Sequence, residues 1–155
     1  MRTLTTAFIA ITLTTLFFAS SALAATQDLN VSAKVVGNCA FNSAADVDFG
    51  DLNQTSADNA TATGNLIFWC TKNASYTLGD ETNSGVGDGD FDGVLSSTTT
   101  TDTIDYALAY TNFSGSGAGK TSPITSAITA TIVNADYVNV DAATYEDTVT
   151  FTITP

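Results

Sequence analysis

Three observations place this chain in the all-β class, as an immunoglobulin-like sandwich that lacks its final strand. Short runs alternate apolar and polar residues with period 2, most strictly in "TYEDTVTFTITP", where Val149, Phe151 and Ile153 fall on one face and threonines on the other. Beyond residue 24, no long window repeats apolar residues at the i, i+3, i+4, i+7 spacing of a helix. That closing strand is followed by no turn and no returning strand. A sandwich of this kind runs from strand F into strand G, and here Pro155 falls at the end of F.

The elements follow in order. Residues 1–24 read as a secretory signal peptide. Arg2 is followed by an apolar run over residues 7–19, and Ala22 and Ala24 fit an A-x-A cleavage site. The run is shorter than the roughly 20 residues of a spanning helix. Next, "DLNVSAKVV" alternates Leu29, Val31, Ala33 and Val35, and "ADVDFGDL" puts Val47 and Phe49 together. "GNLIFWC" is apolar on both faces, as a central strand would be. "ASYTLG", "FDGVLSS", "TIDYALAY" and "SAITATIV" complete the interior strands, with Ile104, Tyr106, Leu108 and Tyr110 on one face and Ile128, Ala130 and Ile132 on another. Polar, glycine-bearing turns separate them.

Composition narrows the function. Sixteen acids against four basic residues give a formal net charge of −12. All the acids lie after the signal, and only Lys34, Lys72 and Lys120 remain to offset them. Nucleic acid and anionic membrane are poor partners for such a surface. The chain has no histidine, which removes the commonest general base and excludes Ser-His-Asp and Cys-His arrangements. "GSGAGK" lacks the spacing and the strand–helix frame of a phosphate loop. The expectation is a protein that is not an enzyme. Two cysteines in an exported chain, Cys39 and Cys70, imply a disulfide.

One stretch raises a metal. Asp88, Asp90 and Asp92 precede Gly93 in a D-x-D-x-D-G core, the spacing by which calcium loops present oxygens around a tight turn. The twelfth position is Thr99 rather than Glu, so the bidentate ligand is missing. The readings are a calcium site on Asp88, Asp90 and Asp92 or a solvated acidic turn, and no other cofactor is expected.

The two ends belong together. A sandwich without its last strand exposes a groove and an open edge, an aggregation liability unless another chain fills it. Donor-strand complementation would fill it through main-chain hydrogen bonds and alternate side chains. Residues 25–36 supply a suitable ladder in Leu29, Val31, Ala33 and Val35, with Val149, Phe151 and Ile153 along one wall of the groove. A head-to-tail contact of that kind does not close on itself and builds a filament. Alternatively, the N-terminal strand pairs beside "VTFTIT" within its own sandwich, and composition does not separate the two.

Taken together, "LNVSAKVVGNCAF", "VDFGDL", "TGNLIFWCTKNASYTLG", "DTIDYALAYT" and "TYEDTVTFTIT" resemble the spore coat protein U domain, shared by subunits of archaic chaperone–usher pili. The resemblance covers nearly all of the chain after the signal. It implies a pilin domain over residues 37–155 with a Cys39–Cys70 staple, preceded by a donor strand at residues 25–36. It further implies neighbouring subunits, a periplasmic chaperone and an outer-membrane usher as partners. Export would then pass through the periplasm to a surface fibre that supports adhesion and biofilm formation. The rival expectations are a secreted coat protein of the same domain family and a monomeric calcium-binding module.

Overall fold

The computed structural model describes residues 24–81 and 89–155. The chain divides into two compact units, Met1–Ala33 and Lys34–Pro155. The signal-peptide reading lies outside the described residues except for Ala24. In the first unit, residues 24–33 form no strand, and Leu29 and Val31 are exposed.

The regular structure of the second unit is almost entirely strand. In chain order it contains β1 (Cys39–Ala45), β2 (Ala60–Cys70), β3 (Ser75–Gly79), β4 (Asp90–Ser97), β5 (Thr103–Tyr110), β6 (Ser114–Ser116) and β7 (Ile124–Ile132). A one-turn helix α1 (Asn134–Tyr137), β8 (Tyr145–Glu146) and β9 (Thr152–Thr154) complete it. Six strands form one sheet in the order β1-β2-β7-β5-β4-β8, and three form another in the order β6-β3-β9. Every pairing is antiparallel. Side chains from both sheets meet in one core, with Phe68 of β2 edge-on to Tyr76 of β3 at 5.1 Å between ring centres. The architecture is the all-β sandwich that the alternation predicts.

The alternation dictates which residues enter that core. Along β5, Ile104, Tyr106, Leu108 and Tyr110 are buried while the residues between them face solvent. In β7, Ile128, Ala130 and Ile132 do the same, and Ser126 is buried with its hydroxyl bonded to the Thr111 carbonyl. Gly93 is buried in β4 opposite Tyr106, and a Cβ there would collide with the tyrosine ring and with Phe91. The missing side chain gives Tyr106 room to lie across the neighbouring strand.

Three stretches depart from expectation. Cys39–Ala45 forms a strand that its sequence does not announce: as an edge strand it is largely exposed, so it carries no apolar period, and it is interrupted by a register shift between Phe41 and Ser43. "ADVDFGDL" is not a strand, because the chain leaves the large sheet after Ala45, passing over Gly64. A Cβ on Gly64 would lie 2.7 Å from the Ala45 carbonyl oxygen and 2.9 Å from Val47 Cγ2, so only glycine permits that departure. The closing "YEDTVTFTIT" is divided: β8 pairs with β4 in the large sheet, and β9 pairs with β3 in the small one. β3 ends at Gly79 opposite Thr152, so the residues before β9 have no strand to pair with.

Candidate functional site: an open groove in the sandwich

Two segments without ladder partners border one cavity: residues 46–53, after β1, and residues 147–151, between β8 and β9. Between them lies a groove of about 970 Å³. Its floor is the inner face of the large sheet, including Leu66, Ile104, Leu108, Ile128 and Ile132. One wall carries Val47, Phe49 and Leu52, and the other Val149 and Phe151. All five wall residues are half-buried, packed on the core from one side. Phe151 is held edge-on against Tyr110 at 5.2 Å, and the Tyr110 hydroxyl donates to buried Asp80 at 3.0 Å.

Polar side chains fix the groove's ends and rim. Tyr106 donates to Asp147 Oδ2 at 2.7 Å, tying the floor to the 147–151 wall. Burial pushes the Tyr106 phenol well above its ordinary value, and the bond to Asp147, the charge of Asp147 and that of Glu81 push it further. Burial and those carboxylates all oppose a phenolate here. At one end, Gln54 Nε2 donates to the carbonyls of Val140 at 2.7 Å and Tyr137 at 3.1 Å. The Tyr137 hydroxyl donates to the Asp58 carbonyl at 2.8 Å. The Gln54 bonds join the 46–54 segment to α1 and the loop after it, and the Tyr137 bond joins α1 to the stretch before β2.

The other end is where the chain enters the domain. A Cβ on Gly37 would lie 3.4 Å from Ala74 Cβ and 3.7 Å from Pro155 Cβ. Thr71 N donates to Asn38 O at 2.8 Å, and Cys39 faces Cys70 across β1 and β2, joined by a disulfide. The root of the N-terminal segment is therefore stapled beside the end of β9. Nothing buries the side chains that lead up to it: Leu29, Val31 and Val35 are 85%, 88% and 83% exposed, and Ala33 is exposed too. For a ladder of apolar residues in water this is costly, since burying such a side chain is worth about 1.5–3 kcal/mol.

The remaining candidates are distributed as follows. Val149 and Phe151 line the groove, whereas Ile153 lies beyond it in β9, opposite Leu78. Val47, Phe49 and Leu52 form the second wall, whose signal in the sequence is the period-2 placement of Val47 and Phe49. Asp90 and Asp92 lie on the exposed side of β4, and Gly93 stands within that strand rather than at a turn. Asp88 lies outside the described residues. Among the described residues, no three His, Cys, Asp or Glu side chains gather as a metal site would require, and no helix is long and apolar enough to cross a membrane.

A comparison with family models finds the Spore Coat Protein U domain over residues 25–152. A comparison with curated proteins finds no match.

Proposed function

Because this chain belongs to the Spore Coat Protein U domain family, and so to surface structural proteins of the pilus or coat kind, we propose that it is a fibre subunit assembled by donor-strand exchange. One observation carries the reading. The sandwich holds a groove with an apolar floor between two segments without ladder partners, in a chain whose residues 25–36 present an exposed alternating ladder. A strand laid in the groove would have a segment without ladder partners on either side and an apolar floor beneath. Leu29, Val31, Ala33 and Val35 of one copy would enter the groove of the next, against Val149 and Phe151 on one wall and Val47, Phe49 and Leu52 on the other. The role is structural, with no catalytic step.

The signal-like leader and the Cys39–Cys70 bond support export through the periplasm. An open groove needs cover before assembly. The proposed partners are therefore a periplasmic chaperone that shields the groove and an outer-membrane usher where the exchange occurs, and the finished fibre serves adhesion and biofilm formation. Deleting residues 25–36 tests the donor assignment. The shortened chain is expected to bind a synthetic peptide of residues 25–36 and to form no fibres alone; long fibres from the deleted chain, seen by electron microscopy, would refute the assignment. The family's coat members support a second reading, a surface layer built on the same exchange, and the same micrographs distinguish a sheet from thin filaments.

A further inference from the structure

The charges of this domain are segregated along its strands. Segments 34–45, 59–79 and 106–135 contain Lys34, Lys72 and Lys120 and none of the sixteen acids. The fold gathers the last two lysines at the stapled end. Lys72 follows Thr71, whose amide bonds to Asn38, and Gly119 N donates to Cys70 O at 3.0 Å, which brings Lys120 to the same place. The Lys120 ammonium lies over the Trp69 ring, 5.6 Å from its centre. Lys34 precedes Gly37, the root of the N-terminal segment, by three residues.

The opposite end is acidic. β2 begins and β7 finishes there, with Ala60 opposite Ile132, so Asp58 and Asp136 flank that edge. β4 finishes there too, with Ser96 opposite Glu146. The turn into β5 and the loop after α1 meet at the same end, where the Asp141 amide donates to Asp102 Oδ2 at 2.7 Å. Five carboxylates thus occupy the end remote from Lys72 and Lys120.

We propose that these two ends form a charge-matched junction between successive copies, the lysine end of one chain seated on the acidic end of the next. The inference rests on the fibre reading above and adds what orients the subunits. A chain of formal charge −12 repels its copies, and two acidic ends brought together would repel most. Of the end-on approaches, only head-to-tail sets the lysines against carboxylates. Complementary ends of this kind raise association rates and reject wrong orientations more than they raise affinity. The N-terminal segment leaves from the lysine end, so the same approach carries it to the neighbour.

The test separates docking of the ends from uptake of the strand. The full chain is expressed, the processed protein is isolated, and assembly is followed by light scattering at low salt and at about 1 M salt, where the screening length is about 3 Å. The variant Lys72→Glu/Lys120→Glu is expected to assemble about tenfold more slowly at low salt and like the parent at high salt. Mixing it with Asp58→Lys/Asp141→Lys is expected to restore alternating co-assembly, which a misfolded variant could not do. Each variant is also assayed for uptake of the residue 25–36 peptide. Unchanged low-salt assembly of the lysine variant, with peptide uptake intact, would overturn the junction alone. Failure of the parent chain to take up the peptide would overturn the fibre reading and the junction with it.

Discussion

Tyr106 shows how one side chain serves both the core and the groove. Its ring fills the space left by Gly93, and its hydroxyl reaches Asp147 on the groove wall. Burial and the neighbouring carboxylates raise its titration. A raised folded-state pKa favours the protonated form in the native state, so this contribution to stability is complete below the ordinary tyrosine value of about 10 and is lost as pH rises above it. Thermal melts are expected to fall on the alkaline side of pH ~10. Tyr106→Phe is expected to flatten that fall without removing it, because Tyr76 is shifted in the same direction by burial. An alkaline slope unchanged by Tyr106→Phe would assign the effect elsewhere.

Among the elements, β1 depends on something other than its own apolar content. It is an exposed edge strand held to β2 by a ladder and by the Cys39–Cys70 bond, which spans a sequence separation of 31. Closing a loop of that length contributes roughly 3–4 kcal/mol through the unfolded chain. Replacing both cysteines with serine is expected to cost stability of that order, read as a lower denaturation midpoint with an intact large-sheet core. The same comparison of elements shows what could be read in advance. β5 and β7 were legible because one face is wholly buried, and burial imposes period 2. β1 was hidden because an edge strand facing water needs no such period. The "ADVDFGDL" and "EDTVTFT" runs carried a strand pattern and yet, in the single chain, form no strand over residues 46–53 and 147–151. Their sequences suit an extended neighbour that the lone chain does not provide. The groove itself was half legible: Val149 and Phe151 were visible as a face of the closing strand, but its other wall depends on how the chain leaves the sheet over Gly64. The placement of Ile153 beyond the groove depends on where β3 stops.

At the scale of the molecule, the features form one axis. The stapled end holds the disulfide, the root of the N-terminal segment and two lysines. The remote end holds five acids and the Gln54 bonds that close the groove. Gly37 and Pro155 lie side by side at the stapled end, and their adjacency bears on direction of travel. The stretch from Tyr145 to Pro155 runs toward that end. Residues 25–36 lead by covalent connection into Gly37, so if they folded into their own domain's groove they would lie parallel to that stretch, in a sandwich whose described pairings are all antiparallel. The same twelve residues moved behind Pro155 on a short turn would start at the same spot and run the other way, as a hairpin continuing β9. That rearranged chain is expected to be a monomer by light scattering, to melt higher than the parent and to refuse the peptide. Whether this sequence makes a polymer or a self-contained domain would then be decided by which side of one point in space a single segment is tied to.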